Sequence, residues 1–454
     1  MSILESRAIT SPDVSYPGRT RALLGISLGY FMVLLDMTVL SVAEPDLVAS
    51  LRTSIAGLQW ATTGYTVAFA ALLLSAGAVA DRYGAHRVFR SGITAFGLAS
   101  LLSAVAPSLW VLVALRVLLG VAAAASVPAS MAMITQLYPE PAVRAKAISS
   151  WAAISGAAVA AGPIMGGALV GLAGWRSIFL VNVPIALVVL AMTSGTAVMC
   201  ARGDRDIDWS AQLTGAVALA LGTDALIAAG SQSWHHTAWS VAGTIVAAIV
   251  FVILERRSAA PVLNRLLLRS SRVRAGLLAG AAVNFALAGG LFVLPMLLQQ
   301  QRNLTPLQTG LAFLPLTVPF AVIPPFVGKV AARLGARLLI LAGLSLLTVG
   351  GALLALAIFA SAGYPVLALG LLLSGFGVSF ALPSLVASIV NAAPLGTAGA
   401  VGGLLNAVRQ VGATLGVAIM GAFVTTGIGW ALLLSAVTCS IALIVFGYHR
   451  QPAS

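Results

Sequence analysis

The sequence predicts an all-α polytopic membrane protein made of two six-helix bundles, with two further spans inserted between them. Three observations predict it. Of 454 residues, 60% are hydrophobic and only 8% charged, and the mean hydropathy is +1.03; a soluble domain carries about 25% charged residues. The apolar residues fall in repeated stretches of roughly 18–25, long enough for a helix to cross a bilayer and unlike the short alternating segments of a barrel. A ten-residue segment also recurs: Gly77–His86 reads GAVADRYGAH and Gly328–Arg337 reads GKVAARLGAR, with six positions identical.

The elements follow in order. Residues 1–21 are polar and too long for the basic start of a signal peptide, and the apolar run after them is too long for its core. They read as an uncleaved cytoplasmic tail. About fourteen spans are expected, near 22–44, 57–80, 88–106, 110–136, 147–172, 177–200, 211–230, 238–254, 276–299, 308–328, 337–360, 364–390, 400–425 and 428–447. Each copy of the repeat follows a span ending at the inner face, the second and the tenth. The seventh and eighth are then an insertion. This divides the chain into a bundle over 22–200, inserted spans over 201–254, a basic cytoplasmic linker over 255–275, a second bundle over 276–447 and a tail over 448–454. Leu263, Leu266 and Leu267 give the linker an amphipathic surface character. Duplicated parallel halves are the architecture of a rocking transporter, whose substrate site lies between them near the midplane.

Charge sets the orientation. With the N-terminus inside, twenty Lys and Arg fall in inner loops and tails, against Arg52, Arg176 and Arg302 outside. Both termini are therefore expected in the cytoplasm, with the chain in the inner (plasma) membrane. The same distribution accounts for the net charge of +13 without nucleic acid. Cys200 and Cys439 carry no metal or disulfide signal, and the pair His235 and His236, in an outer loop, lacks a third ligand and reads as solvated. No loop is long enough for an enzyme domain. Neither enzyme activity nor a cofactor is expected, and a monomer should suffice. Trp110, Trp175, Trp234, Trp239 and Trp430 lie near span ends and read as interface anchors.

Against this background the polar residues inside spans stand out. Asp36 lies about 21 Å along the first span, beyond the midplane. A carboxylate there costs roughly 2.5–3.5 kcal/mol on insertion scales. It suits a group that takes and releases a proton as its surroundings alternate between wet and dry; the alternative is a static hydrogen bond to Thr38 or a neighbouring span. Arg116 in the fourth span must face a partner or water, and Asp36 is the expected counter-charge. Glu44 lies about 12 Å beyond Asp36 and roughly 80° round the helix. It reads first as a carboxylate in water at the outer interface, otherwise as a second acid at the cavity mouth that attracts a cation or relays protons. Asp224 in the seventh span is either hydrogen-bonded to Thr223 or a neighbouring helix, or a further proton carrier. Asp36, Arg116, Glu44 and Asp224 are thus the candidates for proton coupling. Arg409, with Asn406 one turn before it, is the matching buried cation of the second half. Trp60, Tyr65, Asn182, Asn284, Phe285 and Gln299 join these two as candidates for a mixed aromatic and amide substrate cavity. In the repeated loop, Gly77 permits close packing, Gly84 a tight turn, and Asp81 a cap or an ion pair that locks the inner side shut; Arg82 and Arg87 complete it. A solvated charged loop is the plainer alternative. Gly162 and Gly166, four apart, let the fifth span pack backbone-close, and Pro163 weakens the helix there.

Several of these stretches resemble one family. Gly77–Arg87 (GAVADRYGAHR) resembles the signature loop of the major facilitator superfamily. Gly162, Pro163, Gly166 and Gly167 match the GPxxGG motif of its drug–proton antiporters. Arg116–Gly120 looks like their RxxQG motif, with Leu119 in place of Gln. LDMTVLSVAEP (35–45) resembles LDxTxxNxAxP of the fourteen-span branch, with Ser41 for Asn and Glu44 where an aliphatic residue is usual. QWATTGYTV, WRSIFLVNVP and LLNAVRQVGATLGVA are similar too. The resemblance implies the major facilitator fold, a role for Arg116 in proton transfer, and a bend at Pro163 controlling leak and direction. It implies proton-driven efflux of a hydrophobic or amphipathic small molecule, a cationic one being compatible. Two alternatives stay open: proton-coupled symport of a small metabolite on the same fold, and a non-transporting membrane receptor or scaffold.

Overall fold

The computed structural model describes residues 18–195, 208–258, 268–391 and 398–448. Cys200, Leu263, Leu266, Leu267 and both expected tails lie outside these, apart from a few residues at the edges of the tails. Every regular element among the described residues is a helix. The first half holds α1 (Arg19–Leu51), α2 (Ile55–Tyr83), α3 (Ala85–Ala104), α4 (Leu109–Leu137), α5 (Pro141–Ala173), α6 (Ser177–Leu180) and α7 (Asn182–Met192). A hairpin of α8 (Trp209–Gly230) and α9 (Trp234–Arg257) follows. The second half holds α10 (Ser271–Met296), extended by a π-helical turn over Leu297–Gln301, then α11 (Pro306–Ala312), α12 (Leu314–Val322), α13 (Pro324–Leu334), α14 (Ala336–Phe359), α15 (Tyr364–Asn391), α16 (Ala398–Gly421) and α17 (Ile428–Tyr448).

Prolines and glycines place the breaks. Pro324 and Pro325 open α13 after a 64° bend from α12, as expected where ring nitrogens remove backbone donors. Gly84, at φ +91°, ends α2 and opens α3; Gly335, at φ +85°, does the same for α13 and α14. The sequence repeat is therefore a backbone repeat. A left-handed φ at these two corners suits glycine, which has no Cβ to clash.

Packing repeats as well. α1 packs on α5 and α7, α2 on α4, and α3 on α4 and α7. In the second half α10 packs on α16 and α17, α12 on α15, and α14 on α15 and α17. Across the halves α1 meets α10, α2 meets α16, and α5 meets α11 and α12. The α8–α9 hairpin leans on α2 and α16 through α8, where Ser75 donates to Gln212 Oε1. α9 turns Ile245, Val246, Ile249 and Ile253 outward, as a helix facing lipid should.

Among the described residues ten helices are long and apolar enough to cross a membrane, and twelve if each of two bent pairs counts as one span. The expected fourteen is thus not reached on length and composition. Ser177–Met192 is too short, and α3 begins with His86, Arg87 and Arg90.

Candidate functional site

Asp36 of α1 and Arg116 of α4 form a buried ion pair, Nη1 to Oδ2 2.5 Å, each about 1% exposed. The pair is embedded in a network. Asn182 Nδ2, at the start of α7, donates to Asp36 Oδ1 and to Ser100 Oγ, both at 3.0 Å. Arg116 Nε donates to the Ala61 carbonyl at 3.1 Å, and the guanidinium sits over the Tyr65 ring, 4.6 Å from its centroid. Five helices thus converge on one carboxylate–guanidinium pair, with hydrogen bonds answering the desolvation that a buried pair suffers. Asn182, expected in the substrate cavity, belongs instead to this network and is fully buried. WRSIFLVNVP places it there because α6 ends at Leu180 and α7 starts at Asn182.

Arg116 and Tyr65 are also the wall of a cavity between the halves, with about 1120 Å³ of empty space including its opening to solvent. α1 contributes Tyr30, Leu34, Met37, Ser41 and Glu44, a single stripe at helical spacing. The second half contributes Asn284, Asn406, Arg409 and Gln410 with Leu287, Leu291 and Phe292. Arg409 is held by amides: Nη1 donates to Asn406 Oδ1 at 2.9 Å and Nε to Asn284 Oδ1 at 3.3 Å. Tyr30 stacks on Trp151, ring centroids 4.6 Å apart. Tyr65, Asn284, Asn406 and Arg409 line this cavity, whereas three other candidates do not. Phe285 packs backbone-close on Gly416, Gln299 is spent on the Val42 carbonyl, and Trp60 is absent from the lining.

Glu44 is the main correction. It is not in interfacial water: it is 1% exposed and lines the cavity. Its Oε1 has only a long contact, 3.5 Å, from Thr62 Oγ1, and its Oε2 has no hydrogen-bond partner. The polar group that faces outward from this end of α1 is Asp46, whose Oδ2 accepts from the Trp175 backbone N–H at 2.9 Å. That bond helps to hold Trp175 at 2% exposure, with Arg176 over its ring, so Trp175 is no interface anchor.

The two halves are latched at the end of the bundle opposite Gly84 and Gly335. Gln59 Nε2 donates to the carbonyls of Val417 and Ala418, at 3.0 and 2.8 Å. Gln299 Nε2 donates to Val42 O at 2.9 Å. Gly167 lies against Pro306, and Gly310 against Pro163. Midway, the hydroxyls of Thr66 and Thr414 meet at 2.7 Å. At the other end Asp81, Arg82, Arg333 and Gly335 are exposed. The cavity is closed on one side of the bundle.

Comparison with known proteins decides the family. The model described as Major Facilitator Superfamily matches residues 26–200 and 276–454. The chain belongs to the Major Facilitator Superfamily. Multidrug resistance protein Stp of Mycobacterium tuberculosis is 35% identical over 405 residues, 88% of this chain and 74% of that one. The methylenomycin A resistance protein of Streptomyces coelicolor is 34% identical over 439 residues, 95% and 92% of the two chains. A bacterial homologue of the human lysosomal transporter Spinster, solved in an inward-facing and unoccupied conformation, shares the fold at a TM-score of 0.68 and 17% identity, covering 95% and 97%.

As a major facilitator the chain is a transporter and not an enzyme, and its remaining candidates divide clearly. Gly162 and Gly166 pack α5 onto Thr38 and Val39 of α1, leaving no room for a Cβ, and α5 runs unbroken through Pro163. Gly77 is the opposite: a Cβ there would meet nothing within 4 Å, and the same holds for Gly328, so neither packs closely in this conformation. Asp224 Oδ2 accepts from Ser240 Oγ at 2.5 Å and pairs with His236 Nε2 at 2.8 Å. His235 and His236 lie in α9, not in a loop, and His236 is a partner of Asp224 rather than merely solvated. The Thr223 hydroxyl turns to the Leu219 carbonyl instead. Among the described residues no group of three or more His, Cys, Asp or Glu could hold a metal.

Sequence reasoning passed over Gln59, Gln410 and Ser100. The available signal was the one that exposed Asp36: a polar side chain in an apolar span is costly unless it has a partner.

Proposed function

We propose that this transporter exports amphipathic, antibiotic-like small molecules across the inner membrane by alternating access, in exchange for protons. The observation that carries the reading is the buried Asp36–Arg116 pair, whose Arg116 lines a cavity between two repeated halves. The relatives support the substrate class: they include a multidrug resistance protein, methylenomycin A resistance proteins, and a tetracenomycin C resistance and export protein.

The mechanism follows from charge. A proton arriving at Asp36 neutralises the carboxylate that Arg116 balances. The guanidinium, which cannot shed its own charge, then lacks its counter-ion and favours an arrangement in which it reaches water or another acceptor through the cavity. Loss of the proton restores the pair. Protonation thus favours one arrangement of α1 against α4, and the proton gradient can drive the exchange between them. We take α3 and α6–α7 as full crossings. That gives fourteen spans in a six, two and six order, with both termini cytoplasmic. The latched end then faces outward and the cavity opens inward. On this reading the exposed Asp81–Arg82 loop locks in the outward-facing state, when Gly77 packs closely.

Inside-out vesicles with an imposed pH gradient and a panel of antibiotics and dyes test this. Gradient-driven accumulation is expected for wild type and lost in Asp36→Asn. Normal gradient-driven transport by Asp36→Asn would refute Asp36 as the proton carrier. Nutrient uptake by right-side-out vesicles, with no drug transport, would replace export by symport.

A further inference from the structure

The cavity contains an acidic and a basic side chain that have no ionic partner, and two buried acceptors without donors. Glu44 and Arg409 both line it, and neither forms an ion pair among the described residues. Glu44 Oε2 has no hydrogen-bond partner at 1% exposure, and Gln410 Oε1 has none at 8%. The other charge in the wall, Arg116, is balanced by Asp36. The lining therefore holds one acidic and one basic side chain, each without an ionic partner.

The two side chains are apart. Thr66 opposes Thr414, and Gln59 opposes Val417 and Ala418, so α2 and α16 run in opposite directions here. Thr62, the residue Glu44 reaches, is then level with positions 415–416 of α16. That is six or seven residues, about 10 Å of helix rise, from Arg409. Phe69, Leu287, Leu291, Phe292 and Val417 make much of the remaining lining apolar.

A buried carboxylate with a free oxygen gains most from a ligand that brings both a positive charge and N–H donors. A guanidinium held only by amide oxygens gains from an acceptor of negative charge. The apolar lining disfavours small hydrophilic zwitterions, which would leave it unfilled. We infer that the cavity selects a zwitterionic amphiphile, with its protonated nitrogen on Glu44 and its carboxylate or enolate end on Arg409, and that Glu44 is the specificity residue. The inference rests on the reading of this cavity as the transport site. It separates Glu44 from Asp36: the first meets substrate and the second the proton.

Three xanthene dyes of one shape test it by equilibrium binding to the purified full chain, with no gradient present. Rhodamine 110 is zwitterionic, its methyl ester rhodamine 123 is cationic, and fluorescein is anionic. Wild type is expected to bind them in that order of affinity. Glu44→Gln should weaken both rhodamines at least about tenfold, the fold-change of one lost charged contact, and leave fluorescein unchanged or tighter. Arg409→Gln should weaken rhodamine 110 toward the level of its ester and leave the ester unchanged. Glu44→Asp, which keeps the charge, should retain the order. In each variant the unaffected dye reports that the protein is folded. Wild-type affinity of Glu44→Gln for both rhodamines, or no rhodamine binding by wild type, overturns the inference. Dye binding that follows the expected pattern without gradient-driven transport would instead refute proton-coupled export and leave this assignment intact.

Discussion

Removing one partner of the Asp36–Arg116 pair should destabilise the protein far more than removing both charges. The two side chains meet at 2.5 Å and are 1–2% exposed; breaking such a pair costs about 3–5 kcal/mol because the survivor is stranded. In Asp36→Asn the survivor is a guanidinium that cannot neutralise itself. It keeps the Ala61 carbonyl and the Tyr65 face, which together recover roughly 2 kcal/mol of a lost partner, so the expected cost is about 3 kcal/mol. In Arg116→Met the survivor is a carboxylic acid that can take a proton and still accepts from Asn182; a smaller cost of about 2 kcal/mol is expected. The double variant leaves no buried charge and should lose only about 1 kcal/mol. The cycle then gives a coupling of about 4 kcal/mol. Tryptophan fluorescence during reversible SDS titration in dodecyl maltoside micelles measures all four states. Costs that simply add, to within about 0.5 kcal/mol, would show that the pair is not coupled, and the proton mechanism built on it would fall.

Three other perturbations read separate parts of the molecule. Gln59→Leu removes both bonds to the carbonyls of Val417 and Ala418, worth about 1–3 kcal/mol together; spin labels at Arg52 and Ser361 should report a population shift of about fivefold or more toward separation of the latched end, and an unchanged distance distribution would remove Gln59 from the latch. Gly166→Ala puts a Cβ 2.6 Å from the Val39 carbonyl, while the same change at Gly171 meets nothing within 4 Å; thermal denaturation should show a loss of about 1–3 kcal/mol at the first and none at the second, and equal effects would contradict the packing account. Asp224→Asn disturbs a half-exposed pair with His236 and should change stability by less than about 1 kcal/mol, with gradient-driven transport intact; loss of transport would place Asp224 on the proton path.

The sequence makes plain which residues are expensive, and leaves hidden where they point. Asp36 and Arg116 could be paired in advance because a charge in an apolar run needs a partner on any fold, and each was the other's nearest buried counter-charge. Glu44 and Asn182 lie elsewhere than expected for a different reason. α1 is apolar all round, so its pattern fixes the angle between Asp36 and Glu44 but not which one faces α4 and α7 and which the space between the halves. Asn182 sits at a helix start that hydropathy reads as mid-span, and its amide goes to Asp36 and Ser100. Trp175 was misplaced because aromatic rings near span ends are normally interfacial; the Asp46 bond to its backbone N–H has no sequence pattern. The glycines divide by neighbour. Gly84 and Gly335 were readable from their place at helix corners, whereas the packing of Gly167 on Pro306 depends on how one half meets the other.

On the proposed function, the difference between the two acids of α1 bears on how coupling and selectivity can coexist in one transporter. A group that exchanges protons in every cycle must have a stable partner in the deprotonated state, or the empty transporter would be trapped by the cost of an isolated charge. Asp36 has that partner in Arg116, with Asn182 behind it. A group that selects substrate needs the reverse, an incomplete set of bonds that only the ligand fills, because a site already satisfied gains little from binding. Glu44, with Oε2 unpartnered, and Arg409, held by amides alone, have that character. Eight residues of one helix therefore separate a completed site from an unfinished one. A change at Glu44 should alter which compounds leave the cell while the proton still drives the cycle, and a change at Asp36 should stop gradient-driven transport for every compound alike.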